Sequence, residues 1–385
     1  MKRIRNRLFT PGPTPIPDFI SRKMGEPIIH HRKAQFIEIF QAVRQGLKYV
    51  FQTDQEVLVL SASGTGGMEA AIVNLLAPGD TVITVDAGKF GERWGELCQI
   101  FGISPVVIKK EWGKAVQPAE IVQQLRQHPE SSAVFLTYSE TSTGVAIDLP
   151  AIARVIRENS SALIVVDCIS ALVALPLKMD EWQLDVVISA SQKGFMLPPG
   201  LAFVALSQRA MEMAQKARLP NYYLSFQKAL KAVQTGTTPF TPASTIVIGL
   251  KEAIDYIQTK GIENIWKEHQ TFAEAIRAAV QAMGLQLLTA FPSNAVTAVL
   301  FPETINGVQF INLLHNEFGV VVAGGQGPLK NKIFRVGHVG YYDALDIISV
   351  VAAIEWAFRK LGWQFKSAAG LQAAEKILAE LYEDG

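Results

Sequence analysis

Ser189-Ala190-Ser191-Gln192-Lys193-Gly194, running on to Pro198-Pro199-Gly200, follows directly on the apolar strand Asp185-Val186-Val187-Ile188. It sets one lysine in a turn of small residues where the chain leaves a core. Lysine is ordinarily a solvated surface group. A desolvated amine has a lowered pKa and can attack an aldehyde to form a Schiff base, and small neighbours leave room for a bulky ligand. Taken alone, the stretch fits an ordinary loop lysine equally well.

Upstream, Ala162-Leu163-Ile164-Val165-Val166 is a continuously apolar run that reads as a strand buried on both faces. It ends in Asp167, followed by Cys168-Ile169-Ser170. In open α/β sheets ligands sit beyond the carboxyl ends of the strands. An aspartate there is either a cap for the next segment or a charge aimed at a ligand. Pyridoxal phosphate has a specific need for one, because a carboxylate beside its pyridine nitrogen keeps the ring protonated and electron-withdrawing. Spacing alone leaves both roles open.

A third piece is Ser61-Ala62-Ser63-Gly64-Thr65-Gly66-Gly67-Met68-Glu69, after the strand Val57-Leu58-Val59-Leu60. It opens a helix through Ala70-Ala71-Ile72-Val73-Asn74-Leu75-Leu76 that stops at Pro78-Gly79-Asp80. Free N–H groups at a helix start, with hydroxyls beside them, make a phosphate cradle. No Lys-Ser/Thr follows the glycines and the G-x-G-x-x-G spacing is absent, which excludes a Walker loop and the dinucleotide fingerprint. An ordinary glycine-rich cap fits this segment too.

Together and in this order, the turn at Ser63, the strand-end Asp167, and Ser-Gln-Lys193 followed by Pro-Pro-Gly resemble the class V aminotransferases. These are fold-type I pyridoxal-phosphate enzymes. The likeness is to the alanine–glyoxylate and serine–glyoxylate (serine–pyruvate) branch, and it runs from Phe9-Thr10-Pro11-Gly12-Pro13-Thr14 to Phe334-Arg335-Val336-Gly337.

Composition agrees with an enzyme of this kind. The chain has 385 residues, half of them apolar and few charged, which suits a well-buried α/β protein of two domains. A net charge of +1 gives no footprint for nucleic acid. The basic cluster Lys2-Arg3-Arg5-Arg7 precedes no apolar run, so no signal peptide is expected, and no segment has the apolar length a membrane span requires. Cys98 and Cys168 supply neither a disulfide framework nor a metal site. Adjacent His30 and His31 cannot both face one ion from a regular element. A cytoplasmic enzyme without metal is the expectation.

Short apolar strands at 57–60, 81–85, 105–109, 133–138, 162–166, 185–189 and 201–206 alternate with helical segments, the rhythm of a mainly parallel sheet between helices. Beyond Gly261 come strands at 295–300, 319–322 and 332–336 and helices at 307–317 and 343–360. The expected organisation is an N-terminal arm over 1–17, a large pyridoxal-phosphate-binding domain over 18–259, and a smaller α+β domain over 260–385.

The resemblance assigns roles. Lys193 forms the Schiff base and shuttles the proton between substrate and cofactor, and Asp167 pairs with the pyridine nitrogen. Ile169 presses on one ring face and Phe90 stacks on the other, where many relatives carry tryptophan. Ser63, Gly64, Thr65 and Gln192 hold the phosphate, and Thr141 supplies a contacting hydroxyl. Thr241, in Thr237-Thr238-Pro239-Phe240-Thr241, reaches across to the partner's cofactor in a homodimer; relatives with tyrosine at the Thr238 position make a second such contact. Arg335 offers a bidentate donor for the substrate carboxylate. The implied reaction is ping-pong transamination from alanine or serine to glyoxylate or pyruvate. Two alternatives stand beside it. One is a desulfurase or another lyase of this family; a desulfurase needs a nucleophilic cysteine on a mobile loop, and neither Cys98 nor Cys168 has that setting. Some relatives are labelled soluble hydrogenase subunits, which two cysteines could serve only if a partner chain held the metal.

Overall fold

The computed structural model describes residues 5–383. Its strands, in chain order, are β1 (Arg7–Phe9), β2 (Val57–Leu60), β3 (Thr81–Asp86), β4 (Ser104–Lys109), β5 (Ala133–Thr137), β6 (Ser139–Glu140), β7 (Val145–Ala146), β8 (Leu163–Asp167), β9 (Val186–Ala190), β10 (Ala202–Leu206), β11 (Val296–Leu300), β12 (Val320–Gly324) and β13 (Ile333–Gly337).

Seven strands form the large sheet in the order β2-β10-β9-β8-β5-β3-β4. All run parallel except β10, which is antiparallel to both β9 and β2. The apolar runs are continuous because both faces are covered. In β8, Ile164 and Val166 pack into one core with Phe36, Phe40 and Ile152, while Leu163 and Val165 pack into a second with Met68, Trp94 and Phe226. β5 divides the same way, with Val134 and Leu136 on the first side and Phe135 on the second. This alternation places helices Ala34–Phe51, Leu149–Asn159 and Ser244–Lys260 on one face, and Gly64–Leu75, Lys89–Ile100 and Phe226–Val233 on the other.

A four-stranded sheet, ordered β1-β12-β13-β11, carries the third core with helices Ile262–Ala282, Gly307–Phe318 and Ala344–Lys360. The chain enters this half through Gly261, at φ +84°, between two helices. Arg7–Phe9 pairs in parallel with Val320–Val322, so the N-terminal arm is anchored in the small sheet before it crosses to the large one. Among the described residues no helix is long and apolar enough to cross a membrane.

Candidate active site

The carboxyl ends of β2, β3, β5, β8 and β9 share one edge of the large sheet, and the sequence-selected residues follow them in turn. Asp167 is the last residue of β8, and Lys193 lies three residues past β9. The loops after these two strands lock together. A Cβ on Gly194 would come within 2.6 Å of Val173 Cβ, and Val173 itself is held at φ +75°, which a β-branched residue rarely adopts. Such a conformation costs on the order of 1–3 kcal/mol and persists only where the surroundings impose it.

Asp167 is buried, 4% exposed, and forms no ion pair among the described residues; its Oδ1 accepts the Ile169 N–H at 2.8 Å. Burial pushes its carboxyl up to about 7; the Ile169 N–H opposes that, Glu140 adds to it, and Arg93 and Lys193 oppose it. Lys193 is moved the other way. Desolvation pulls its amine down to about 8, Asp167 acts against this, and Arg335 adds to it.

At the turn after β2, Ser63 occupies the cap of helix Gly64–Leu75, yet its hydroxyl makes no capping bond. Gly64 has no room for a side chain, since a Cβ would lie 2.8 Å from Ile169 Cγ1. Thr65 Oγ1 accepts a hydrogen bond from Arg93 Nη1 at 3.0 Å, and the Arg93 guanidinium lies 5.0 Å from the Phe90 ring centre. Gln192 has a buried side-chain oxygen with no partner.

Phe90 opens helix Lys89–Ile100, and a residue absent from the sequence reading sets it there. Glu140 is 3% exposed, and its Oε2 accepts the N–H groups of Phe90 (3.0 Å) and Gly91 (2.9 Å). Its Oε1 accepts the N–H (3.1 Å) and hydroxyl (2.5 Å) of Ser142. Glu140 thus caps the helix from strand β6, although burial holds its carboxyl above the usual range. The next residue, Thr141, is buried and presents its carbonyl to Arg335 Nη1 at 2.7 Å.

Arg335 reaches the site from β13 of the small sheet. Its Nε and Nη2 both donate to the Gly324 carbonyl, at 3.0 and 2.7 Å. Among the described residues no carboxylate pairs with it, and burial draws its pKa down to about 10 despite Glu140. A guanidinium has five N–H groups. The three in use leave one on each terminal nitrogen for a further acceptor.

Thr241 is not brought to this group within the protomer. It is exposed, in a cleft beside Ser61, Tyr223, Thr238 and Phe240. Thr238 Oγ1 is turned to the Phe240 carbonyl at 2.7 Å. Both cysteines are buried and their thiols are pushed up by burial, Cys98 to about 12.

The donor set fits pyridoxal phosphate. The Ser63 hydroxyl is not spent on capping its own helix, so it and the first N–H groups of that helix can donate to a phosphate. The buried Asp167 carboxylate has no cationic partner among the described residues, which suits a protonated ring nitrogen. Sheet order and site together define the architecture of the fold-type I aminotransferases. The chain belongs to the class V aminotransferase family, whose model, described as "Aminotransferase class-V", matches residues 16–336. It is 43% identical to the "Soluble hydrogenase, small subunit" of Synechococcus sp., over 97% of this chain and 98% of that one. It is 34% identical to a serine–glyoxylate aminotransferase of Methylorubrum extorquens, over 98% and 96%. The structure of an alanine–glyoxylate aminotransferase from Nostoc sp. superposes with a TM-score of 0.88, at 29% identity, covering 93% of this chain and 96% of that one. The protein is a transaminase by family.

Proposed function

We propose that this transaminase moves the amino group of alanine or serine to glyoxylate or pyruvate in two half-reactions at one site. The observation that carries the reading is the joint state of three groups: a lysine amine lowered to about 8, a buried aspartate without an ion pair among the described residues, and a half-committed arginine with an N–H left on each terminal nitrogen. Pyridoxal phosphate, when bound, supplies the electron sink that makes the substrate Cα–H acidic. Ser63, Thr65, Gln192 and the N–H groups of the helix start hold its phosphate, with Phe90 and Ile169 on the ring faces. Asp167 keeps the ring nitrogen protonated, since a cation placed against it holds the carboxyl ionised. Arg335 orients the substrate carboxylate. Lys193 Nζ takes the Cα proton and returns it, and an amine near 8 is suited to do so at neutral pH.

A small donor and a glyoxylate acceptor are supported by the names of the relatives at 34% and 29% identity. The hydrogenase name of the 43% relative is not carried over, because Cys98 and Cys168 are both buried, and Cys98 sits on a helix while Cys168 follows β8. A cytoplasmic homodimer, with Thr241 completing the partner's phosphate site, belongs to the same proposal.

A visible absorption scan of the purified protein tests it. Yellow colour that fades with alanine or serine and returns with glyoxylate is the expected result, and the rates rank the donors. A protein that stays colourless with added pyridoxal phosphate would falsify the assignment.

A further inference from the structure

The N-terminal arm runs from the small sheet to the lysine. Phe9 closes β1 opposite Val322. Thr10 and Pro11 then press on Gly337 at the end of β13, where a Cβ would overlap the Thr10 carbonyl and come within 2.6 Å of Pro11 N. The Pro11 carbonyl accepts a hydrogen bond from Lys193 Nζ at 2.5 Å, and Thr14 Oγ1 donates to the Lys193 carbonyl at 3.0 Å. The arm thus holds the lysine at both its side-chain end and its main chain. Between the two contacts lies Gly12, at φ +132°. A Cβ there would sit within 2.6 Å of Lys193 Cδ and Cε and overlap Nζ.

Resting on the transaminase reading above, we propose that the Pro11 carbonyl holds and aims the free Lys193 amine, and that Gly12 is the residue that lets the amine reach it. Pro11 and Gly12 are positioning residues for the proton-moving group. Lysine has a flexible four-carbon stem, and its direction is undefined until an acceptor sets it. Among the described residues the Pro11 carbonyl is the one hydrogen-bond partner of this amine. Asp167 and Arg335 act on it through charge without bonding to it. A main-chain carbonyl suits the task, because it accepts an N–H from the neutral or the charged amine and never competes for the proton. Pro11 follows a strand of the small sheet, so the point at which the amine docks is fixed relative to Arg335, on the same sheet.

The test reads the lysine directly. Full-length protein freed of cofactor is treated with trinitrobenzenesulfonate at fixed pH, and modification of Lys193 is followed by peptide mass mapping. Gly12→Ala is expected to label about tenfold faster than wild type, the consequence of losing a hydrogen bond to a buried amine. Gly102→Ala is the control for alanine in a left-handed conformation, because Gly102 has φ +70° and open space around it; it is expected to label at the wild-type rate. If Gly12→Ala does not fold, glycolic acid replaces Gly12 by nonsense suppression. The resulting ester weakens the Pro11 carbonyl as an acceptor and adds no atom that crowds the lysine, so labelling again quickens, several-fold. A wild-type rate in the folded alanine variant or in the ester, or an equal change in Gly102→Ala, overturns the proposal. Labelling needs no cofactor, so wild-type protein that fails to take up pyridoxal phosphate sinks the transaminase reading and leaves the Pro11 contact still measurable.

Discussion

Arg335 commits three of its N–H groups to the carbonyls of Thr141 and Gly324, and this fixes the plane of the two that remain. Lysine could keep the charge but neither the plane nor the fork. Arg335→Lys is therefore expected to raise KM for the amino donor and lower kcat/KM by roughly 30- to 100-fold, the worth of a charge-assisted bidentate contact; steady-state kinetics with alanine and serine measure it. Asp167 gives a pH prediction. Its folded pKa of about 7 stands above the ordinary 3.8, so between those values the folded chain keeps a proton that the unfolded chain has lost. Stability of the cofactor-free protein should then fall as pH rises from about 4 to about 7. Asp167→Asn removes that loss, gaining up to a few kcal/mol above pH 7 at ~1.4 kcal/mol per unit and nothing below about 4. Urea midpoints across this range check it, and parallel curves for the two proteins would refute it. These residues were legible because each sits at a fixed offset from an apolar run. Arg93 and Glu140 were not, because a polar side chain inside a helix or a two-residue strand carries no mark of the partner it meets from elsewhere in the chain.

At the scale of elements, Glu140 ties two parts of the site together: it caps the helix that carries Phe90, and its neighbour Thr141 gives its carbonyl to Arg335. Glu140→Gln sets an amide NH2 against either the Ser142 N–H or the N–H groups of Phe90 and Gly91, since both carboxylate oxygens accept from the main chain. It is expected to cost about 1–3 kcal/mol of stability and to raise KM for the amino donor as Thr141 shifts. Denaturation and kinetics on the same preparation separate those effects. Ten of the thirteen strands were readable to within a residue or two, most of them because a run buried on both faces is apolar throughout; the two-residue β6 and β7 are too short to carry a pattern. The direction of β10 was not readable from Leu201-Ala202-Phe203-Val204-Ala205-Leu206, because an apolar run is the same in both senses. Nor was β1, whose Arg7-Leu8-Phe9 becomes a strand only because Val320–Val322 lies beside it.

For the whole molecule, the exposed Thr241 beside Ser61 predicts sites that two chains complete. Light scattering should report a dimer. Mixed dimers sharpen the point: a Lys193→Ala chain paired with a Thr241→Ala chain holds one fully native site if Thr241 serves the partner. Wild-type cofactor affinity should return in one of the two sites of each mixed dimer, roughly a quarter of all sites after random exchange of equal amounts, as spectrophotometric titration would show; no recovery means each chain serves itself. The same small sheet that bears Arg335 also has a bearing on time. Residues 7–9 leave the ribosome more than three hundred residues ahead of their partners at 320–322. At ordinary rates of synthesis the first strand waits on the order of tens of seconds for its place. Until the last third of the chain has emerged, Pro11 has no sheet to hold it, so a nascent chain with every residue of the large sheet already made would still lack an aimed lysine.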